Sequence, residues 1–406
     1  MSFDLTWVTH ARLDWQLDRS TWLRMAEECD GLGVTVRVLA SHMYRVKRGA
    51  GDSYVHYLPR IQVPLMHVPS FNATAAIALV HQQLKRPPRI VVFEPWTMPA
   101  VLPAVLLTRI RSVFGRKHSR FVLDVRTLSV AQGHGVRHYA NEVAFALGVR
   151  MSNFFVAGVS AITPSMLDIL RSEYGLRSTV PTRVWSSGVD VNLFRVSSET
   201  KQRARELRVD LGFSDRVVFL YHGNVAMNRG LDRLVEAVAI VARGGLTDFC
   251  VAVLGDGPDM ERLEAVVRTM GVSTWVALLP RVELDEVPSY IEMADAGVIP
   301  LTNWRGWRVS SPLKLLEYLA LCKPVVLTPI QAHTDVLSDT EMGIFAGSDS
   351  PSDLACALVA ACQLGRSGLA RRGRHGRALV EQTYAWRKQA EALTAFCRKL
   401  VGNTRP

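Results

Sequence analysis

The sequence lacks several features that would place it in a specialised class of proteins. Only six of its 406 residues are cysteines, and none of them forms a CxxC pair. This scarcity excludes a disulfide scaffold, so we expect buried free thiols in a reducing cytoplasm. No run reaches about 18 uninterrupted apolar residues, and the N-terminus has no apolar core of a secretory signal. The sequence therefore predicts a cytoplasmic protein, and if it meets a membrane, it does so only at the surface of the inner face.

The usual nucleotide-binding fingerprints are also missing. The glycine pairs Gly133–Gly135 and Gly255–Gly257 each lack the third glycine of GxGxxG, and GxxxxGK[ST] does not occur. Without these motifs a dehydrogenase or a P-loop NTPase is disfavoured. A length of 406 residues with 48% hydrophobic and 21% charged residues instead indicates two ordinary globular domains.

Acidic residues are scarce in the first half of the chain, which carries most of the net charge of +11. Residues 1–190 hold 22 basic and 13 acidic side chains (+9), which leaves 48 − 22 = 26 and 37 − 13 = 24 (+2) for the rest. The basic residues are densest in 106–120, where arginines and a lysine alternate with apolar residues. This pattern is typical of a basic amphipathic helix on an anionic membrane, and equally of a solvated helix packed on a sheet. A nucleic-acid partner is not expected, because no reader fold or aromatic stacking platform accompanies the charge.

Short apolar runs alternate with helical periodicity throughout the chain, which predicts two doubly wound parallel α/β sheets. A Ser/Gly turn at 186–188 separates the two series, so we place a domain boundary near 190. The strand-like runs are LTWVT, VTVRVLA, RIVVFE and RFVLDV before it, and RVVFLYHG, FCVAVLGDG, WVALLP, AGVIPL and KPVVLT after it. Ligands of such sheets bind at the carboxyl ends of the strands.

The segment 308–330 contains the most informative group of polar residues. Ser310 or Ser311 before Pro312 is a good helix N-cap with proline at the first helical position, and a helix N-terminus favours a phosphate. Lys314 would add a positive charge there, and Glu317 shares its face of the helix. A half-buried carboxylate at Glu317 would accept hydrogen bonds from vicinal sugar hydroxyls. The alternative is an exposed Lys314 and Glu317 ion pair of little energetic value.

A second strand end is marked by glycines. Gly223 and Gly230 have no side chain, so a ligand or another part of the chain can approach their backbone closely. Arg229 precedes a helix with an apolar face, where it could clamp a diphosphate in a bidentate manner. A solvated loop arginine is the alternative.

Ordered segments of the second half resemble motifs of the retaining GT-B glycosyltransferases of family 4. They begin with SSGVDVNLF, similar to the interdomain "NGVDxxxF", and HGNVAMNRGLDRLVEA, similar to "GRLxxxKGxxxLxxA". LGDGPDMERLE, PRVELDEVPSYIEMADAGVIPL, SSPLKLLEYLALCKPVV and the final TYAW follow in the family's order. The resemblance extends over about 186–390 and is weak in the N-terminal half.

The resemblance implies a GT-B fold, in which two Rossmann-like doubly wound domains face each other across a cleft. Residues 1–190 would bind the acceptor and 191–385 the nucleotide sugar, and a helix in 386–406 would cross back to the first domain. The implied activity is transfer of a sugar, with retention and without a metal or other cofactor, from a nucleoside-diphosphate sugar to a lipid-linked or glycan acceptor. Cell-envelope, exopolysaccharide or glycolipid synthesis is the implied setting, and 106–120 would contact an anionic membrane.

The resemblance also assigns roles to single residues. Glu317 would bind the donor ribose, while Arg229 and Lys314 would hold the diphosphate and act in catalysis. The complete donor-binding set is Gly223, Asn224, Arg229, Gly257, Arg281, Ser310, Ser311, Leu313, Lys314 and Glu317.

Two departures from the family pattern motivate an alternative. Val309 stands where many members have a first glutamate, and Asn224 stands where many have arginine. The alternative is therefore a catalytically silent GT-B scaffold that binds a partner protein or an anionic membrane.

The acceptor side is less clearly marked. Asp124 and Arg126 follow one another at the end of a strand, where some members have a histidine or aspartate near the transferred sugar. We predict them as catalytic candidates, and a structural ion pair is the alternative. His134 and His138 lie on a nearby glycine-containing loop.

Overall fold

The computed structural model describes residues 2–11, 13, 16–41, 52–61, 63, 66–128, 136–337 and 341–402. The chain forms two compact units, Met1–Ser187 with Trp386–Pro406, and Gly188–Ala385. Each unit contains its own parallel sheet with helices in the connections. The predicted fold class of two Rossmann-like α/β sheets is confirmed.

The first unit is built on seven parallel strands in the order β3-β2-β1-β4-β5-β6-β7. The strands are β1 (Phe3–Val8), β2 (Val34–Ser41), β3 (Val55–Leu58), β4 (Ile90–Phe93), β5 (Arg120–Val125), β6 (Gly158–Ala161) and β7 (Thr182–Val184). The helices are α1 (Gln16–Asp30), α2 (His67–Lys85), α3 (Met98–Val113), α4 (Val136–Ser152), α5 (Pro164–Ser172) and, from the end of the chain, α15 (Trp386–Gly402). Helix α15 packs on α1, and Arg398 donates a hydrogen bond of 2.6 Å to the Leu32 carbonyl.

The second unit is built on six parallel strands in the order β10-β9-β8-β11-β12-β13. The strands are β8 (Val217–His222), β9 (Phe249–Leu254), β10 (Val276–Leu279), β11 (Ala296–Ile299), β12 (Val325–Leu327) and β13 (Gly343–Phe345). The helices are α6 (Ser198–Asp210), α7 (Leu231–Arg243), α8 (Met260–Met270), α9 (Val287–Met293), α10 (Arg305–Arg308), α11 (Leu313–Ala320), α12 (Gln331–Leu337), α13 (Pro351–Gly373) and α14 (Gly376–Leu379).

Strand β8 shows that the second sheet is buried on both faces. Its side chains alternate between two apolar layers, with Val218 and Leu220 in one and Phe219 and Tyr221 in the other. A strand covered on both faces reads as a continuous apolar run in the sequence. The polar His222 is the last residue of this run, at the carboxyl edge where ligands of parallel sheets bind.

Helix α3 is shorter than the predicted basic helix over 106–120. It ends at Val113, and β5 begins at Arg120, so the helical expectation is wrong for the second half of this stretch. Its outward side nevertheless carries several apolar residues beside the exposed Arg109 and Ser112. Leu106, Ile110 and Val113 are 61%, 57% and 82% exposed, and Phe114, which follows the helix, is 74% exposed.

Two further expectations from the sequence concern cysteines and membrane spans. All six cysteines are free, but only Cys29, Cys250 and Cys397 are buried and Cys356 is exposed, so the expectation of uniformly buried thiols is wrong. None of the helices in the described ranges combines the length and the apolar character needed to span a bilayer.

Candidate active site

The carboxyl end of β8 lies against the first turn of α11. Gly223 follows β8 with a φ angle of 118°, and a Cβ atom at this position would lie only 3.3 Å from the Lys314 Nζ atom. The glycine therefore lets the lysine approach the backbone. Lys314 Nζ also lies 3.8 Å from the centroid of the Tyr221 ring, a cation–π contact that positions the ammonium group.

Glu317 lies one helical turn after Lys314 and contacts His222. Glu317 Oε2 is 3.3 Å from His222 Nε2, and the two side chains are only 15% and 10% exposed. The Tyr318 ring packs edge-on against the imidazole with 5.1 Å between ring centroids. The side chain that the structure places next to Glu317 is thus His222, whereas the sequence left open an exposed ion pair with Lys314.

Burial shifts all three titratable groups of this cluster toward their uncharged forms. It raises the pKa of Glu317 to about 7, an effect that the charge of Lys314 opposes. Burial, and then Lys314, lowers the pKa of His222 to about 3. The pKa of Lys314 is held well below its usual value by burial and by Arg229, against the attraction of Glu317. A ligand that brings hydroxyl donors to Glu317 and negative charge to Lys314 would stabilise their charged forms.

Arg229 is held by an aromatic side chain that was not predicted. It ends a short 3₁₀ turn, Met227–Arg229, and its guanidinium carbon lies 4.1 Å from the centroid of the Trp307 ring. Trp307 is fixed in turn by a hydrogen bond of 2.8 Å from its indole N–H to the Asn228 carbonyl. Because the charge of Arg229 lowers the pKa of Lys314, the two cations act on the same region.

The start of α11 differs from the prediction. The helix begins at Leu313 with Pro312 at the N-cap, so the expected cap by Ser310 or Ser311 with proline inside the helix is wrong. Ser310 instead donates a hydrogen bond of 2.9 Å to the carbonyl of Trp307, in the preceding helix α10. Leu313 and Lys314 are still the first two residues of α11, where backbone N–H groups have no partner within the helix.

The remaining donor-side candidates separate into two groups. Asn224 and Gly257 lie side by side after β8 and β9, since a Cβ atom at Gly257 would be 2.7 Å from the Asn224 side-chain oxygen. Arg281 is exposed and follows β10, an edge strand that β9 separates from β8. The structure therefore places Arg281 apart from Lys314 and Glu317.

In the first unit, Asp124 and Arg126 are both tied to Trp185. Buried Asp124 accepts hydrogen bonds of 2.6 Å from Ser160 and 3.0 Å from the indole of Trp185. The Arg126 guanidinium lies 3.6 Å from the centroid of the Trp185 ring and donates to the Trp185 carbonyl at 2.8 Å. Burial raises the pKa of Asp124 to about 6, although Arg126 opposes the shift. Each side chain is therefore held by Trp185 rather than by the other, and the catalytic role suggested for the two residues stays a prediction. His134 and the side chain of His138 lie outside the described residues.

Sequence reasoning missed His222 and Trp307. His222 carried a signal, because it is a polar residue at the end of an otherwise apolar strand and precedes the candidate Gly223. Trp307 lies 78 positions from Arg229 in the sequence, and no local pattern connects them.

Comparison with solved structures defines the class of fold. HepE of Anabaena, solved in complex with UDP, superposes with a TM-score of 0.74 over 98% of this chain and 100% of that chain, at 14% sequence identity. This likeness shows the fold, which is the GT-B arrangement of two Rossmann-like domains.

The second unit connects the chain to a family. Residues 216–363 match the family model of the glycosyl transferases group 1. The alpha-D-kanosaminyltransferase of Streptomyces kanamyceticus is 26% identical over 147 residues, 36% of each chain. The GDP-mannose-dependent alpha-(1-6)-phosphatidylinositol monomannoside mannosyltransferase of Mycolicibacterium smegmatis is 27% identical over 165 residues, 40% of this chain and 42% of that enzyme. Residues 216–363 thus resemble the glycosyl transferases group 1, in line with the motifs of the second half, and the chain spans about two fifths of the length of these two relatives.

Proposed function

We propose that the protein transfers a sugar from a nucleoside-diphosphate sugar to an acceptor, with retention and without a metal ion. The observation that carries the proposal is the cluster of Arg229, Lys314 and Glu317 at the carboxyl edge of β8, within the segment that matches the glycosyltransferase family. The cluster combines two cations with a largely buried carboxylate, which suits a diphosphate linked to a ribose.

Each residue of the cluster has a distinct part in the proposed reaction. Glu317 accepts hydrogen bonds from the ribose hydroxyls, and Arg229 and Lys314 hold the diphosphate. When the bond between the sugar and the diphosphate breaks, negative charge grows on the leaving phosphate, and the two cations stabilise it. Positive charge from the protein thus takes the part that a divalent metal plays in other transferases.

Single substitutions test the donor site. We expect Glu317→Ala and Arg229→Ala to weaken binding of UDP-glucose or GDP-mannose by roughly 10- to 100-fold, because each removes a charge-assisted hydrogen bond. Calorimetric titration measures binding, and release of nucleoside diphosphate measures turnover. The exposed pair Arg268 and Glu264 on α8 supplies matched controls, Arg268→Ala and Glu264→Ala, which should behave as wild type. Wild-type binding by both site variants would refute the assignment.

Retention and metal independence each need a separate measurement. Retention predicts that NMR of the product shows the anomeric configuration of the donor sugar, and the opposite configuration would correct it. Metal independence predicts unchanged turnover in excess EDTA. A loss of turnover that Mg²⁺ restores would show that a metal takes part.

The silent-scaffold alternative rests on Val309 and Asn224, neither of which supplies the charged group that many family members have there; Val309 is only 3% exposed. It predicts that the wild-type protein releases nucleoside diphosphate from neither UDP-glucose nor GDP-mannose, whereas a transferase releases it. Release of nucleoside diphosphate from either sugar therefore excludes it.

For the acceptor we propose a lipid-linked or glycan substrate of cell-envelope, exopolysaccharide or glycolipid synthesis, bound by the first unit at an anionic membrane. Helix α3 supports the membrane contact, since its inward side buries Val101, Ala104 and Val105 while Leu106, Ile110 and Val113 face outward. A helix that is merely solvated presents polar residues there. Residues 53–123 carry nine basic side chains and one acidic side chain, the buried Glu94. Apolar residues within a basic surface suit anionic lipid.

A further inference from the structure

One face of the first sheet is polar where its strands begin. Strands β1 and β2 pair with Asp4 beside Thr35 and Thr6 beside Arg37. His56 of β3 lies on the same face, since its partner in β2 is two positions after Arg37. Because successive side chains of a strand point to opposite faces, these five side chains share one face.

This face differs from what a parallel sheet usually shows. Helices normally cover both faces, so that the strands read as continuous apolar runs. Here the opposite face is buried at Leu5, Val36 and Val55, whereas Arg37 and His56 are exposed. The amino-terminal halves of β2 and β3 therefore have one covered face and one open face.

A cavity of about 450 Å³ lies between the polar face and the last turn of α2. The Thr6 hydroxyl donates a hydrogen bond of 3.2 Å to the Gln82 side-chain oxygen, which joins β1 to this turn. The volume falls in the range of small-molecule sites, roughly 300 to 1,000 Å³. Ligands of parallel sheets usually bind at the carboxyl ends of the strands, so this cavity is at the opposite edge of the sheet from the usual site.

The wall of the cavity is basic. The described residues that line it include three permanent cations, two histidines and one carboxylate: Arg37, Lys85, Arg86, His56, His81 and Asp4. In the ranges that the structure describes, none of the three cations forms an ion pair. Partial burial in the cavity, and then the charge of Arg37, lowers the pKa of His56. A bound anion would offset the repulsion between these groups.

Stabilisation of a helix end explains only part of this charge. Basic residues near a helix C-terminus are favoured by the helix dipole, which accounts for Lys85 and for Arg86, the C-cap of α2. It does not account for Arg37 and His56, which line the same cavity from β2 and β3. Basic groups from three elements thus converge on one cavity, as in an anion-binding site.

We propose that this cavity binds the phosphate group of a small polyhydroxylated molecule. A phosphate monoester carries nearly two negative charges and three strong acceptor oxygens, which suits three cations better than a single carboxylate does. Arg37 and Arg86 supply planar pairs of donors, and Lys85 supplies a point charge. Thr35 and Ser53 line the cavity as partners for the hydroxyls of the ligand. A free sugar phosphate and a phosphorylated lipid headgroup share this chemistry, and neither depends on the proposed glycosyl transfer.

Calorimetric titration of the full-length protein with glucose 6-phosphate tests the site. We expect Arg37→Gln, and Lys85→Gln combined with Arg86→Gln, to weaken binding by roughly 10- to 100-fold, because each removes charge-assisted hydrogen bonds. Arg183→Gln is the matched control and should bind as wild type, since Arg183 is an exposed arginine on β7, at the other edge of the same sheet. Glucose, which lacks the phosphate, should not bind measurably.

The donor site also contains cations, so further variants separate the two sites. Arg229→Ala should bind glucose 6-phosphate as wild type does, and Arg37→Gln should bind UDP-glucose as wild type does. Loss of glucose 6-phosphate binding in Arg229→Ala, with no change in Arg37→Gln, would assign the phosphate to the donor site and overturn the proposal. If the wild type does not bind UDP-glucose, the proposed glycosyl transfer fails, while the sugar phosphate still tests the cavity.

Vesicles identify the source of the phosphate. Phosphatidylcholine vesicles with phosphatidylinositol 4-phosphate are compared by sedimentation with vesicles of equal surface charge that contain phosphatidylglycerol. A lipid headgroup as ligand predicts that Arg37→Gln weakens binding to the first kind only. A soluble ligand predicts that Arg37→Gln changes neither and weakens only glucose 6-phosphate binding.

The proposal is overturned if the wild type binds neither glucose 6-phosphate nor phosphatidylinositol 4-phosphate. It is also overturned if the cavity variants bind both probes as wild type does. Thermal unfolding confirms that each variant is folded, which is expected because Arg37, Lys85 and Arg86 are exposed.

Discussion

Glu317 and His222 show how burial at single residues makes ligand binding depend on pH. The pKa of Glu317 is raised to about 7, so the carboxylate is partly protonated near neutral pH. The ionised form is the better acceptor for ribose hydroxyls. Lys314 acts with the opposite sign, because its charged form binds the diphosphate and its lowered pKa favours loss of that charge at higher pH.

We therefore predict that affinity for UDP-glucose or GDP-mannose rises as the pH increases from about 6 to about 8. The diphosphate of a nucleotide sugar has no ionisation in this range, so the protein alone causes the change. In Glu317→Gln the rise should disappear, and any decline that remains belongs to Lys314. Calorimetric titration at a series of pH values measures both, and a pH-independent affinity in the wild type would contradict the assigned role of Glu317.

A second prediction at the residue scale concerns Asp124. The pKa of this carboxyl is raised in the folded state from 3.8 to about 6, so its protonated form is favoured there. The stability it contributes is therefore present below about pH 4 and is lost as the pH rises through 6. Asp124→Asn removes this pH dependence, because the asparagine amide does not titrate, and its side-chain oxygen can still accept from Ser160 and Trp185.

We expect Asp124→Asn to fold, to lose stability less steeply than wild type between pH 4 and 6, and to keep donor turnover. Thermal unfolding across this range measures the first two properties. A large loss of turnover with unchanged stability would instead give Asp124 the catalytic role that the sequence suggested.

At the scale of elements, the turn into α7 depends on a glycine. Gly230 is the N-cap of α7 with φ of 72°, and a Cβ atom there would overlap the Pro300 carbonyl oxygen. Gly212 has nearly the same φ, 68°, with nothing within 4 Å of its Cβ position. Alanine at Gly212 would therefore add only the strain of the left-handed backbone, whereas alanine at Gly230 would add the same strain and a steric overlap with Pro300.

We predict that Gly212→Ala costs about 1 kcal/mol of stability from the left-handed conformation alone. Gly230→Ala should cost about 2 to 5 kcal/mol, because the overlap with Pro300 adds to it. It should also weaken nucleotide binding, since Arg229 is the preceding residue. Urea unfolding gives the two free energies, and equal costs at both positions would contradict the close approach.

Elements differed in how well local sequence predicted them. The apolar runs that became β1, β2, β4, β5 and β8 to β12 were visible because strands buried on both faces are continuously apolar. Strands β7 and β13 were not, because most of their residues are only partly buried. The start of α11 was predicted from a serine–serine–proline pattern, but Ser310 satisfies the end of α10 instead.

At the scale of the whole molecule, the charge and the exposed apolar residues of the first unit lead to a prediction about membranes. We expect the full-length protein to sediment with vesicles that contain phosphatidylglycerol and not with pure phosphatidylcholine, and to dissociate as salt is raised. Arg116→Gln combined with Lys117→Gln should weaken binding by about 2 kcal/mol, at about 1 kcal/mol for each basic residue.

The apolar part of this surface has its own control. Leu106→Gln combined with Ile110→Gln should also reduce vesicle binding. Val209→Gln should not, because Val209 is similarly exposed at 69% but lies on α6 of the second unit. Equal binding to both kinds of vesicle would remove the preference for anionic lipid, and binding to neither would remove the membrane from the proposal. Salt-sensitive binding to DNA alone would favour a nucleic-acid partner.

The sequence by itself determined the fold class, the resemblance to the glycosyl transferases group 1 and the candidates Arg229, Lys314 and Glu317, because each depends on local periodicity or on motifs whose residues are close in the chain. Only the tertiary structure showed His222 beside Glu317 and the Trp307 ring against the Arg229 guanidinium. These partners lie on different elements, 78 to 95 positions apart, and meet only because parallel strands end at one edge of a sheet. Pairing across such distances depends on strand order and register, which no local pattern encodes.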